Sequence, residues 1–320
     1  MSIATSPLPS SAAVSKSPAF SGQTRLLVVA PHPDDETIAA GLLIQQVLAA
    51  GGEVRILLLT AGDNNPWPQR WLERRVQIRL VDRQRWGSRR QAELQQALQC
   101  LELPSSALQT LGWPDMGVTE RLLQPQGTAV PTLASAIGQF RPSLIAMPSL
   151  GDRHPDHGAA HVLVRLALAG QPVSPQLFTY MIHGHPPGTD IVEVQGSPAQ
   201  LAKKLTALSA HQSQMALSGN RMRHLAARPE QYAEVTPVAG LPLSALPWQP
   251  SIWLRPWLKL SVASAAGVQT WRWKDAPLRR DGQGFYHLSA DSRGTGPRFA
   301  KLALDLPSLW IFDHWGWCEL

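Results

Sequence analysis

Cysteine is nearly absent from this chain: Cys100 and Cys318 are the only two in 320 residues. They form neither a metal-finger motif nor a disulfide framework, and two isolated thiols fit a reducing, cytoplasmic compartment. Long apolar runs are also missing. No window of about 18 consecutive apolar residues exists, which excludes a transmembrane helix. Residues 1–22 are rich in Ser, Pro and Ala with one lysine, and lack the basic and apolar regions of a signal peptide. They are expected to be a disordered tail. No glycine-rich loop follows the first apolar run, so there is no fingerprint for a nucleotide cofactor. Internal repeats are absent as well.

Charge is sparse, at 16% of residues against 44% hydrophobic, and the net charge is +6. That composition suits a globular protein able to bury one large or two modest cores. A positive balance invites a nucleic-acid reading, but no recognised nucleic-acid module accompanies it. The basic residues are scattered except between Arg70 and Arg90, where Arg70, Arg74, Arg75, Arg79, Arg83, Arg85, Arg89 and Arg90 lie. Their partial three-to-four spacing predicts a helix with one basic face. Such a face is either simply solvated or meets an anionic substrate or a membrane surface.

What the chain does contain is concentrated in two short stretches. Leu26 to Ala30 reads as a buried strand, stopped by Pro31 and turned by Pro33. A helix is predicted from Asp35 or Glu36 to about Ala50. His32, Asp34, Asp35 and Glu36 therefore crowd into a turn at a strand's carboxyl end, where open α/β sheets bind ligands. Adjacent carboxylates repel one another, and a cation among them relieves this. The plain alternative is that the three acids only cap a helix. It weakens because His154-Pro155-Asp156-His157 repeats the context, after an apolar strand from Ser143 to Met147 and before an apolar helix to Leu168. Imidazole nitrogen and carboxylate oxygen suit zinc, whose catalytic sites have three protein ligands and an open position. His32, Asp35 and one histidine of the second segment would complete such a set.

The paired segments His32-Pro33-Asp34-Asp35-Glu36 and His154-Pro155-Asp156-His157 resemble the LmbE-like (PIG-L) family of zinc-dependent de-N-acetylases. Three weaker stretches agree in order: Arg90-x-x-Glu93 with Ala97 and Leu101, Leu111-Gly112-Trp113-Pro114-Asp115, and Lys204-x-x-Ala207-x-x-x-His211-x-Ser213-Gln214. The resemblance covers about Arg25 to Gln214. It implies that His32, Asp35 and His157 hold a divalent metal, that Asp34 is the general base, and that His154 stabilises the oxyanion or protonates the amine. It also implies that Asp156 orients His154 and raises its pKa, and that Arg90 and Asp115 contact sugar hydroxyls. Asp152 reads as a supporting residue or a turn former. His183 and His185 lie at a strand end near the pocket, His161 reads as packing, and His211 as structural.

Further strands are expected at Glu53–Thr60, Leu108–Gly112 and Leu177–Ile182. Helices are expected near Arg89–Leu101, Thr132–Phe140 and Pro198–Leu217. Alternating strands and helices predict a Rossmann-like doubly wound, mostly parallel sheet. The chain leaves the second strand through Asn64-Asn65-Pro66-Trp67-Pro68, where Trp67 and Trp71 either pack or wall a sugar's apolar face. From about Leu241 the character changes, and eight of the twelve tryptophans lie beyond that point. Strands are expected at Val268–Trp273, Gly284–Leu288 and Lys301–Leu306. The resulting division is a tail (1–22), a catalytic domain (23–235) and a small β-rich, Trp-rich module (236–320) whose tryptophans are mainly core. The leading functional expectation is a zinc hydrolase removing the N-acetyl group from an N-acetylglucosamine-type sugar or cell-envelope glycoconjugate. The alternatives are a metal-dependent amidase acting on another N-acyl amine and an inactive sugar-binding relative.

Overall fold

The structure is a computed structural model that describes residues 18–172, 174–184, 191–235, 245–289, 296–306 and 312–320. The expected tail therefore lies mostly outside the described residues, as do His185 and Trp310.

Seven strands form the central sheet: β1 (Arg25–Ala30), β2 (Glu53–Thr60), β3 (Leu108–Trp113), β4 (Leu144–Pro148), β5 (Gln176–Tyr180), β6 (Ile191–Val194) and β7 (Glu230–Glu234). Their order is β3-β2-β1-β4-β5-β7-β6. The first five are parallel, and β7 and β6 add an antiparallel edge. The winding direction reverses between β1 and β4, which pair directly. Their carboxyl ends thus border the crevice where such sheets place a ligand.

β1 is apolar throughout because both its faces are covered. Leu26, Val28 and Ala30 pack into one core with α1 (Asp35–Ala49) and α3 (Leu80–Cys100), and Leu27 and Val29 into a second with α5 (Ala129–Phe140) and α6 (Pro155–Leu168). The basic stretch forms two helices rather than one. α2 (Pro66–Glu73) ends where Arg74 turns left-handed, at φ 52°, before α3 begins. α4 (Val118–Leu123) follows β3. The predicted helix from Pro198 is likewise split at His211 into α7 (Pro198–Ala210) and α8 (Gln212–Ala226).

A buried ion pair locks these helices together. Lys204, fully buried on α7, donates to Glu230 Oε1 at 2.6 Å. The same carboxylate accepts the amides of Leu42 and Leu43 in α1, at 2.7 and 2.9 Å, and Tyr232 Oη donates to Ala39 O. Each buried polar group of this set thereby has a partner.

The C-terminal region is a four-stranded antiparallel sheet ordered β13-β12-β8-β9, plus a β10–β11 hairpin. The strands are β8 (Leu258–Ser264), β9 (Gly267–Arg272), β10 (Leu278–Arg280), β11 (Tyr286–Leu288), β12 (Arg298–Leu304) and β13 (Trp317–Glu319). One face of this sheet encloses its own core of Trp248, Leu260, Trp273 and Leu302, among others. From the other face Ala263, Phe299 and Trp317 join the second core of the central domain. Trp317 needs Gly158 on α6, because a Cβ there would stand 2.9 Å from the indole Cδ1. Arg165 on α6 fastens the same seam by donating through both Nη atoms to Glu319.

Candidate metal centre

Five strand ends deliver the side chains of the crevice. His32, Asp34 and Asp35 leave β1, Gly62 and Asp63 leave β2, and Asp115 leaves β3. Asp152, His154 and His157 follow β4, and His183 follows β5.

Asp35 is at the centre. Its Oδ2 stands 3.3 Å from His32 Nδ1 and 3.3 Å from His157 Nε2. A tetrahedral zinc with bonds of about 2.0–2.1 Å separates its ligand atoms by about 3.3–3.4 Å, which these two distances match. His157 Nε2 is buried and makes no aligned hydrogen bond, an orphaned donor or acceptor in the middle of the cluster. Its other nitrogen is engaged. Nδ1 lies 3.1 Å from Asp152 Oδ2, which also accepts the amides of Ile182 and His183. Asp152 thus stands as the carboxylate that orients a metal-binding imidazole from behind. His154 completes a triangle of imidazoles whose ligating atoms lie within 4.8 Å of one another.

The electrostatics carry the same message. Asp34, Asp35, Glu36, Asp115, Asp152 and Asp156 converge on the crevice, where Arg90 pairs with two of them, Asp34 at 3.2 Å and Asp115 at 4.0 Å. Burial pushes the imidazoles of His157 and His32 down, but the carboxylates outweigh it. Asp152 and Asp35 carry His157 up to about 10, and Asp115 with Asp156 and Asp35 holds His32 well above its ordinary value. Burial alone would raise Asp35, yet His157 and His32 hold it well below the carboxylate range. A nest of anions that draws protons onto two histidines is one in which a divalent metal can replace those protons.

Asp34 is distinct from its neighbours. Its backbone is strained, at φ 133° and ψ −26°, a region costly for a residue with a Cβ. Its amide donates to Glu36 Oε2 at 3.0 Å, and Glu36 also lies 3.3 Å from His211 Nε2. Burial pushes the Asp34 carboxyl up to about 6, against the opposing charge of Arg90. Arg90 reaches it from α3: Nη2 donates to Asp34 Oδ2 at 3.2 Å and to Pro33 O at 2.7 Å, and Nη1 to Gly62 O at 2.9 Å. Gly62, at φ +63°, permits this approach, since a Cβ would meet Nη1 at 2.3 Å. Glu93 does not pair with Arg90. It accepts from Arg89 and from the Ser213 amide and hydroxyl, tying α3 to α8.

Asp115 is held by its own amide donating to Asp63 Oδ1, and its Oδ1 lies 3.2 Å from His32 Nε2. The expected contact between the Asp156 carboxylate and the His154 ring is not made. Asp156 Oδ2 accepts the Met116 amide at 2.7 Å and faces His32 Nε2 at 3.3 Å, while Oδ1 accepts the Val118 amide. Instead the Asp156 backbone amide donates to His154 Nδ1 at 3.3 Å. The expected rise in the His154 pKa is also reversed: burial, then the positive imidazoles of His32 and His157, push it down to about 2. With Nδ1 accepting, the neutral ring carries its proton on Nε2.

Of two further contributors, His183 stands near the pocket as its place at a strand end suggested, whereas Phe312 has no signal in the local sequence. His183 packs 5.2 Å from the His157 ring and 5.5 Å from that of His154. Phe312, from the C-terminal region, lies 5.4 Å from His183 and 6.5 Å from His154, with the Arg153 guanidinium 5.7 Å from its ring. Its segment is fixed by the Asp313 amide donating to Arg153 O and by the Lys301–Asp313 ion pair. His161 does not reach the cluster; its Nδ1 meets Pro148 O and its ring packs near Phe299. Trp67 and Trp71 are not packed into a core, being 61% and 68% exposed.

A doubly wound sheet with a His/Asp cluster of metal-ligand spacing at its switch point defines an α/β protein with a metal-type centre. Residues 27–168 match the PIG-L family model, described as GlcNAc-PI de-N-acetylase, and this segment is a PIG-L (LmbE-like) domain. The chain is similar to 1D-myo-inositol 2-acetamido-2-deoxy-alpha-D-glucopyranoside deacetylase of Mycolicibacterium smegmatis, at 33% identity over 162 residues, 46% of this chain and 54% of that protein. Its similarity to the protein of that name from Mycobacterium leprae is 30% over 218 residues, 62% of this chain and 66% of the relative. The chain thus spans little more than half the length of the first of these relatives. The fold is similar to that of N,N'-diacetylchitobiose deacetylase from Pyrococcus horikoshii, with a TM-score of 0.51 at 19% identity, covering 66% of this chain and 84% of that one.

Proposed function

We propose that this protein is a zinc-dependent hydrolase that removes the acetyl group from an N-acetylglucosamine-type sugar or glycoconjugate. The observation that carries the reading is Asp35 Oδ2 set 3.3 Å from both His32 Nδ1 and His157 Nε2, the latter buried without a hydrogen bond. In this reading His32, Asp35 and His157 hold the metal. Bound there, zinc would polarise the acetamide carbonyl and acidify water.

The chain's own groups do the rest. Asp34, poised near neutrality by burial, takes a proton from the attacking water. The new carbon–oxygen bond places negative charge on the former carbonyl oxygen, toward which His154 donates Nε2–H. Asp34 then returns its proton to the nitrogen as the carbon–nitrogen bond breaks, releasing free amine and acetate. Arg90 keeps Asp34 oriented through Oδ2, leaving Oδ1 without a partner among the described residues. Asp156 positions His154 through its backbone amide and steadies His32 through its carboxylate. Asp115 faces the same crevice, and we assign it and Arg90 to the sugar-facing wall.

The mycobacterial relatives support the substrate class: each is a deacetylase of an acetamido sugar. The division into a catalytic domain (23–235) and a β-rich module (236–320) belongs to the same proposal, as does a cytoplasmic location, supported by the two free thiols. No helix among the described residues is long and apolar enough to cross a membrane. The test is to incubate the purified zinc-loaded protein with N-acetylglucosaminyl compounds and measure amine and acetate together. Equimolar release supports the proposal. Release of a longer acid from an N-acyl amine, or binding without turnover, would replace it.

A further inference from the structure

The α2–α3 hairpin carries an unusual surface. Trp67, Trp71, Val76, Leu80 and Val81 are 61%, 68%, 86%, 71% and 61% exposed, and Leu72 is exposed too. Six large apolar side chains open to water within 15 residues need an explanation. Between residues 66 and 85 stand six arginines and two acids, a net charge of +4. Both acids are occupied: Glu73 pairs with Arg85, and Asp82 with Arg75 and Arg85. Arg70 lies 5.2 Å from the Trp67 ring, while Arg74, Arg79 and Arg83 form no ion pair among the described residues.

We propose that this hairpin is a docking surface for an anionic lipid bilayer. Exposed tryptophan and aliphatic side chains interleaved with unpaired arginines combine the two attractions that hold a peripheral protein on such a surface, apolar insertion and charge. Tryptophan in particular suits the headgroup boundary. The charge argues against a second copy of this chain as the occupant. In a two-fold contact the patch would meet itself, bringing +4 against +4. The position adds a function. α2 starts directly after Asn64 and Asn65, where Asn64 N donates to Asp115 Oδ2, and α3 carries Arg90 onto Asp34. Docking here sets the crevice beside the lipid surface, where an acetamido sugar carried on a lipid would be presented. The docking claim does not depend on the deacetylase reading, because vesicle binding and amine release are separate readouts.

The experiment is co-sedimentation of the full chain with phosphatidylcholine vesicles containing about one-third phosphatidylglycerol, compared with pure phosphatidylcholine. Binding is expected to the anionic vesicles only, and to weaken as salt rises from about 0.1 to about 1 M and the Debye length falls from about 10 to about 3 Å. The double variant Trp71→Asp, Val76→Asp should partition at least about tenfold less while retaining the zinc content and melting temperature of the wild type. Arg74→Glu with Arg83→Glu should abolish the salt-sensitive part. Three results would overturn the proposal: no binding to anionic vesicles, binding unchanged in the Trp71/Val76 variant, or self-association of the wild type by sedimentation velocity that this variant abolishes.

Discussion

Replacing Asp34 by Asn is the perturbation most informative about chemistry. Asparagine is isosteric and tolerates positive φ better than most residues, so the backbone at φ 133° is retained. Its amide oxygen can accept from Arg90 Nη2, and Arg90 keeps its bonds to Pro33 O and Gly62 O. The Asp34 carboxylate pairs with Arg90 and, among the described residues, with neither His32 nor His157, so metal content should not change. What is lost is a carboxylate able to take and return a proton. General-base removal costs about 10²–10⁴ in rate, about 2.7–5.5 kcal/mol of barrier. The pH profile gives the sign. The base works when ionised, and burial raises its pKa to about 6, so wild-type kcat/KM should fall as pH drops through an acid limb. A bound cation favours the carboxylate and places that limb at or below about 6. The variant should show a low rate without the limb. Measured by amine release across pH with metal analysis in parallel, a variant within about threefold of wild type would remove Asp34 from the base role. Loss of metal would make it a ligand.

Asp152→Ala should weaken zinc affinity by about 10–100-fold without unfolding the chain, because it frees His157 Nδ1; competition with a chelator measures it. Glu230→Gln should destabilise the protein by about 3–5 kcal/mol, since it leaves Lys204 buried without its counter-charge, and Lys204→Met in the same chain should recover part of that in denaturant unfolding. Deleting residues 241–320 should yield an insoluble or much less stable protein, because it strips Phe299 and Trp317 from the second core. A soluble fragment with unchanged turnover would show the module to be a dispensable appendage.

The crevice was legible where its residues sit next to a strand end in sequence. His32 to Glu36 and His154 to His157 each follow an apolar run and a proline, so their place in the fold was readable from local pattern alone. What could not be read was who faces whom. Asp156 turns to the amides of Met116 and Val118, some 40 residues away, and not to His154 two positions earlier. Phe312 reaches His183 across 129 residues through the docking of one sheet on a helix, an arrangement no local pattern encodes. Among the elements, β1, β2 and β4 were readable from their apolar runs, whereas β3 (Leu-Gln-Thr-Leu-Gly-Trp) is no such run and was readable from the Trp113-Pro114-Asp115 stop that ends it. The short antiparallel strands β6 and β7 were not, because half-buried alternation over four or five residues is a weak signal. Both helix breaks, at Arg74 and His211, occur without glycine or proline, the usual punctuation.

One catalytic metal held by His32, Asp35 and His157 underlies all of this chemistry. That proposal is tested most directly by titrating zinc into the metal-stripped protein while following amine release from an N-acetylglucosaminyl substrate. The rate should climb linearly and break at about one equivalent per chain, and His157→Ala should abolish the break. Turnover that persists without metal, or a break that survives His157→Ala, would contradict it.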